Sequence, residues 1–280
     1  MTGAEIIPVA KAAKKILDGD SSTKKQLAEI AKDSPAMKAA AESRARRVAI
    51  GQALLLKAYL PLGLLIGVSK DYFETDFAHD WAEKTAGIPE EHISVPKLSV
   101  AVPALQALGY SIDEPALKDM YLTLLATASD DRVKDQAHPA FAEIIRQLSG
   151  EEAELLDVLL RIPVLPIVKI RRQDKNRQYG LLLNNVMDLT DDELGRVEHP
   201  SASMWIDNWG RLGLVEVNYL QSVARPDGYD WVEERPELLR LRDGKLPVLQ
   251  DSKQGGHLAI DHGIFRRTDF GTQFVAAVFP

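Results

Sequence analysis

Between Ala116 and Leu160 the sequence carries three apolar stripes at helical spacing, separated by turns so short that the helices must run antiparallel to their neighbours. Leu117, Tyr121, Leu124, Leu125 and Ala128 share one face of the first. Phe141, Ile144, Ile145 and Leu148 share one face of the second, and Leu155, Leu156, Leu159 and Leu160 one face of the third. The punctuation agrees with the periodicity. Asp113 is placed to cap the first helix with Pro115 in its opening turn, and Asp130-Asp131 ends it. His138-Pro139 opens the second, and Ser149 with Glu152 spells the S-x-x-E capping box at the start of the third. A chain with this block at its centre builds its core from helices, so the expected fold class is mainly α.

Upstream, Ile6, Val9, Ala10, Ala13, Ile16 and Leu17 recur at helical spacing with Lys11, Lys14 and Lys15 between them. This is a basic amphipathic helix that can dock on its own domain or lie on a membrane surface. Further helices are expected over 24–31 and 35–60, the second carrying Arg44, Arg46 and Arg47. From Gln52 to Val68 the chain is at its most apolar, yet Lys57 and Pro61 interrupt the run and it falls short of the roughly 20 residues a bilayer crossing needs. A buried helix is the expectation there. Tyr72, Phe73, Phe77 and Trp81 continue a helix to about Gly87. Prolines 89, 96 and 103 then argue against a continuous helix between Ile88 and Pro103, because each removes an amide donor, and helix resumes at Ala104.

Past Ile162 the segment VLPIVKIRR, rich in β-branched residues, reads as a strand. Ser201 is placed to cap a helix through Leu212 that Gly213 ends, and Leu214 to Leu220 alternates like a strand. A long polar loop over 221–256 leads to a strand from His257 to Phe265 and a closing helix capped by Thr268. The expected organisation is a helical domain over 1–161, comprising an N-terminal part and a central bundle, followed by a smaller α+β module over 162–280. The order helix, strand, loop, strand, helix resembles a winged helix, by analogy alone.

Composition narrows the chemistry. With no cysteine, the chain has no disulfide framework, thiolate metal site or cysteine nucleophile. The first twenty residues lack the compact apolar stretch and cleavage site of a secretory signal, so an intracellular, cytoplasmic protein is expected. Residues 1–50 hold ten Lys/Arg against six Asp/Glu, and the rest hold 24 against 35. An acidic body of this kind argues against nucleic-acid binding by charge alone.

Three places have the residue types of a site. His138 lies near Asp130, Asp131 and Asp135 in sequence and is a candidate base oriented by a carboxylate; its structural alternative is a turn contact that starts the Phe141 helix, with Pro139 in the first turn. HLAIDH, from His257 to His262, has metal-binding residue types, but in a strand His257 and Asp261 stand about 13 Å apart, too far for one ion. The acidic group Asp188, Asp191, Asp192 and Glu193 lacks a calcium-loop spacing and reads as a helix start, with Thr190 and Glu193 as its capping box. No phosphate-binding glycine loop or G-x-S-x-G elbow is present. For nucleic acid, the available cations are Arg211, Arg266 and Arg267, with Arg240, Arg242 and Lys245 nearby in sequence.

The block ALKDMYLTLLATASDDRVKDQAHPAFAEIIRQLSGEEAELL resembles the Abi-alpha family, bacterial proteins named for a proposed role in abortive phage infection. The resemblance rests on the L-x-x-x-Y-x-x-LLA helix from Leu117 to Ala126, the HPAF tetrapeptide from His138 to Phe141, and IIRQLSGEEAELL. IPEEHISVP upstream, and WIDNWGRLGLVEV and TDFGTQFVAA downstream, resemble the family's flanking elements. Membership implies phage defence, a largely helical fold and no established catalytic residues or cofactor. The expected function is a non-enzymatic defence component acting through contacts with a phage or host protein, or with itself. The alternatives are a membrane-perturbing effector, peripheral at the inner membrane through Lys11, Lys14, Lys15 and the 52–68 run, and a nucleic-acid-binding regulator using the C-terminal module.

Overall fold

The structure, a computed structural model, describes residues 35–58, 68–174, 179–191, 195–196, 198–243 and 256–279. The chain divides into two compact units, Met1–Val95 and Pro96–Pro280. Among the described residues it is mostly helical, with sheet confined to the C-terminal part. The change of character at Ile162 is therefore a change from helix to sheet inside the second unit. The N-terminal basic helix with Lys11, Lys14 and Lys15, the helix expected over 24–31, and most of the apolar 52–68 run lie outside the described residues.

In the first unit, α1 (Pro35–Ala58) packs against α3 (Phe77–Lys84), with α2 (Val68–Thr75) beside it. The helix expected through Trp81 is broken at Asp76 into α2 and α3. Its aromatic stripe nevertheless forms one cluster, with Phe73 and Phe77 centroids 5.4 Å apart and Phe77 stacked on Trp81 at 6.4 Å. Arg47, 6% exposed, donates to the carbonyls of Thr85 and Ile88, so it closes the end of α3 instead of facing solvent. Arg46 pairs with Glu90 at 3.1 Å.

In the second unit, α4 (Leu98–Leu108) and α5 (Pro115–Ser129) pack against each other and against α6 (Ala140–Ile145), and α7 (Gly150–Leu160) packs on α5. Pro103 does not exclude helix: it sits inside α4. The missing amide costs one hydrogen bond, and burial of Val100, Ala101, Ala104, Leu105 and Leu108 on the same helix outweighs it. The cap of α5 is Glu114 and not Asp113, and its side chain reaches across to accept the Gly150 amide at 2.9 Å. The capping box of α7 is formed in both directions, Ser149 Oγ accepting from Glu152 N at 3.2 Å and Glu152 Oε2 from Ser149 N at 3.3 Å.

The sheet is antiparallel throughout, in the order β2-β1-β6-β5, from β1 (Val164–Asp174), β2 (Tyr179–Met187), β5 (Val215–Asn218) and β6 (Gly256–Arg267). The two strands on either side of the expected loop, β5 and β6, pair with each other, and β6 is paired on its other side by β1. A separate two-stranded pair, β3 (Thr190–Asp191) and β4 (Gly195–Arg196), occupies the place of the helix start expected at Thr190. Turn geometry that pairs Thr190 with Arg196 is incompatible with a capping box there.

Each face of the sheet is covered. Val168, Ile170 and Val186 point to a core with Trp231, Val232, Leu238 and Leu241. Those four lie in the segment expected to be a polar loop, which instead contains a 3-10 turn (Asp230–Glu234) and α9 (Pro236–Arg242). Its charged residues mislead because they pair with one another: Arg235, 1% exposed, bonds Glu237 at 2.5 Å. Toward the opposite face, Phe265 meets Trp209 of α8 (Ala202–Arg211) at 6.4 Å. The closing helix α10 (Asp269–Val278) lies on α5, and Thr127 donates to the Ala277 carbonyl at 3.0 Å. Thr268 caps α10 by accepting the Gly271 amide at 2.9 Å, and a Cβ at Gly271 would collide with the Leu214 carbonyl, which is why the T-x-x-G spacing needs glycine.

Candidate functional site

Helix α6 places the HPAF residues against α10. Phe141, fully buried, meets Phe270 and Phe274 at 5.3 Å each, the second edge to face. His138 is exposed, and its Nδ1 accepts the Ala140 amide at 3.1 Å, so the ring serves as the cap of α6 while Pro139 begins the turn. Its ring also lies 5.7 Å from Phe141 and 5.8 Å from Phe270. Two of the three carboxylates that sequence placed nearby have partners of their own. Asp130 is bonded to Arg132, and Asp135 pairs with Lys97 at 3.3 Å. His199-Pro200 repeats the device at α8: His199 Nδ1 accepts the Ser201 amide at 3.3 Å and the ring lies 4.2 Å from Trp205. Ser201 makes no side-chain cap itself.

A second place gathers polar side chains from four elements. Because Val168 and Ile170 face the core with Trp231, the alternation of β1 turns Lys169 and Arg171 to the other side. The register sets Lys169 opposite Asp261 of β6, and this carboxylate takes both cations, with Lys169 at 3.7 Å and Arg171 hydrogen-bonded to it. Lys169 also lies over the Tyr219 ring, 4.4 Å from its centroid, a cation–π contact worth about 0.5–1 kcal/mol at a partly exposed site.

Strand β2 completes the arrangement by breaking its own regularity. The β1–β2 register slips between Val168 and Ile170 and again between Ile170 and Arg171, and Asn185 has a φ of 51°. A bulge re-aims a side chain, and asparagine tolerates the left-handed region better than most residues. Here it turns Asn185, 4% exposed, toward Tyr219 and α8. The Tyr219 hydroxyl donates to Asn185 Oδ1 at 3.0 Å and accepts from the Asn185 amide at 3.2 Å. The Asn185 side-chain amide then donates to Asp207 at 2.8 Å. Burial, the largest influence, pushes the Tyr219 phenol up to about 12; the donated Asn185 amide opposes this, and the Asp207 and Asp261 carboxylates add to it. Tyr219 is thus a neutral hydroxyl with both hydrogen-bonding functions engaged. The shelf formed by Lys169, Arg171, Asp261, Tyr219, Asn185 and Asp207 displays fixed charges of both signs at the surface. Such an arrangement suits recognition of a polar surface better than proton transfer.

Sequence reasoning did not find this shelf. Two signals point to it in retrospect: cations alternating with β-branched residues in VKIRR, and the Asn184-Asn185 pair inside an apolar strand. The arginines singled out from sequence are not brought together as a cationic patch. Arg211 donates to Gln147 at 2.8 Å, Arg266 pairs with Glu216 at 2.6 Å, and Arg267 donates to Thr272 at 3.1 Å and to the Leu160 carbonyl. HLAIDH lies in β6, where Asp261 belongs to the shelf while His262 stacks on Tyr229 at 3.9 Å. Among the described residues, no group of three His, Asp or Glu side chains is disposed to hold a metal ion. An open cleft of about 380 Å³ at the starts of α5 and α7 is lined by Asp113, Glu114, Glu151 and Glu154.

A family model described as "Abortive infection alpha" matches residues 69–278. Among solved structures, an uncharacterised protein from the hydrocarbon-degrading marine bacterium Alcanivorax borkumensis is similar at 16% identity and a TM-score of 0.33, over 52% of this chain and 96% of that one. No curated protein matches.

Proposed function

The chain belongs to the abortive infection alpha family, and on that footing we propose that it is a phage-defence component that acts by binding another protein through the α8 shelf, without catalysing a reaction. The observation that carries this reading is Asn185. A buried side chain held at positive φ by Tyr219 and by α8 is a local cost, and such costs cluster where a surface must be presented in one geometry. The partner expected on this shelf carries charges of both signs and an acceptor for Lys169. Exposed Met204, 63% accessible on the same helix as Asp207, supplies an apolar contact beside it.

The non-enzymatic part is supported by how His138 is used: its Nδ1 is occupied by the Ala140 amide, and Asp130 and Asp135 are engaged by Arg132 and Lys97. The purified chain is expected to show no hydrolytic or transfer turnover; turnover abolished by His138→Ala would contradict the proposal. The defence link itself is tested by the genomic neighbourhood together with plaque counts in cells with and without the gene.

The other readings have their own signatures. A membrane-perturbing effector would cause liposome leakage that is lost when residues 1–20 are removed; among the described residues, no helix is long and apolar enough to cross a membrane. A winged-helix use of α8, β5 and β6 would show salt-dependent DNA retention. It is the weaker reading, since Arg211, Arg266 and Arg267 each have intramolecular partners.

A further inference from the structure

Two of the chain's six histidines start a helix in the same way. In each His-Pro pair the ring Nδ1 accepts the amide two residues on, Ala140 for His138 and Ser201 for His199. The histidine's own carbonyl accepts the next amide, Phe141 or Ala202, at 3.0 Å. An Nδ1 that accepts an amide proton needs its lone pair, so the arrangement requires a neutral ring with its proton on Nε2. His79 is the opposite case: its Nδ1 faces the Thr75 carbonyl at 3.3 Å, where the ring donates, and protonation leaves that contact standing.

The two starts differ in what they hold. His138 lies on aromatic rings, whereas α8, which His199 starts, carries part of the shelf. The Ser203 carbonyl and the Asp207 carboxylate of α8 accept from the Asn185 side chain at 3.4 and 2.8 Å. Among the described residues neither ring has an ion pair. His138 meets Phe141 and, on α10, Phe270, which follows Asp269. His199 meets Trp205, and its sequence neighbour Glu198 is paired with Arg240 of α9.

We propose that the start of α8 is an acid-sensitive latch: neutral His199 holds the helix start and with it Asn185, and protonating the ring releases both. An imidazolium has two N–H donors and no acceptor, so the Ser201 amide loses its partner. The new positive charge also sits at the helix end where the peptide dipoles already place one. The Trp205 face, 4.2 Å away, attracts an imidazolium and offsets part of this loss, one gain against two costs. Only the folded chain loses these contacts. The stability they supply is therefore complete at about pH 8 and lost toward about pH 5, the range in which an imidazole titrates. The latch is a property of the chain itself and stands whether or not the shelf binds a partner.

Denaturant unfolding of the full chain between about pH 8 and about pH 5 tests it, in wild type, His199→Asn and His199→Ala. Asparagine accepts the same amide without titrating, and alanine never accepts it. The ratio of the wild-type to the His199→Asn unfolding constant is expected to rise roughly threefold on acidification, while the ratio of His199→Ala to His199→Asn stays flat. His138 titrates in all three chains and cancels in these ratios. Protection of the Asn185 amide from exchange, corrected for the intrinsic rate at each pH, should fall with acid in wild type and hold in His199→Asn. His79→Asn should leave the acid loss as in wild type. An acid loss equal in wild type and His199→Asn overturns the proposal. So does a wild-type Asn185 amide whose protection is the same at both ends of the pH range.

Discussion

Around Phe141, aromatic rings from α6 and α10 bury one another, while beside α8 the shelf is held by ion pairs and hydrogen bonds reaching from β1, β2 and β6. The first region contains the HPAF tetrapeptide, one of the features on which the sequence resemblance rests, and its most chemical residue, His138, uses its ring nitrogen at a helix start. The second contains no motif and the only non-glycine residue at positive φ among those described. The contrast teaches that recurrence of a motif and availability for chemistry are separate properties: HPAF is constrained by packing, the shelf by geometry.

The comparison can be broken at several points. Phe141→Ala should be the most damaging change, costing about 3–5 kcal/mol in denaturant unfolding, because a fully buried ring leaves a cavity between α6 and α10. A loss below about 1 kcal/mol would mean that the hub does not hold the helices together. Asn185→Ala should cost roughly 2 kcal/mol, since it strands the Tyr219 and Asp207 partners and leaves a Cβ residue at positive φ without compensation. Asn185→Gly should cost less, because glycine takes that φ freely. If glycine proves the worse of the two, backbone strain is not part of the shelf. Ser149→Ala should remove about 1 kcal/mol by opening the α7 capping box.

The smallest effect at neutral pH is expected of Tyr219→Phe, about 1 kcal/mol for its lost hydrogen bonds, but it has a distinctive pH dependence. The phenol is pushed up from 10.0 to about 12 on folding, so its contribution is complete below pH 10 and fades as the pH rises toward 12, where the folded form also ionises. Burial raises Tyr72 and Tyr121 as well, so the variant should soften the alkaline loss without abolishing it. An alkaline unfolding curve identical in variant and wild type would show that Tyr219 is not buried as described.

How legible these two regions were follows from the physics that makes each. The α5–α7 block could be read because helical periodicity, the Ser149–Glu152 box and the T-x-x-G cap are local codes that pay off within a few residues. Trp205 and Trp209 stand four residues apart, on one face of α8, and are 5% and 0% exposed. The misreadings share a cause. Pro103 within α4, the two-stranded turn at Thr190 and the helical 230–242 segment all depend on tertiary partners: burial that offsets a lost amide, a strand to pair with, or the Arg235–Glu237 pair that hides its own charge. The shelf was invisible for the same reason. Lys169 and Asp261 are far apart in sequence and meet only through the β1–β6 register, and Asn185 is aimed by a bulge that no short motif announces.

The contact reading is tested most directly by plaque protection in cells expressing a Lys169→Ala, Asp207→Ala double variant or a His138→Ala variant, each at wild-type protein level. Binding through the shelf predicts that the double variant, checked as folded by denaturant unfolding because Asp207 also holds the buried Asn185 amide, loses protection, while His138→Ala keeps it. Protection kept by the shelf variant and lost by His138→Ala would contradict it, and would return the function to the HPAF segment.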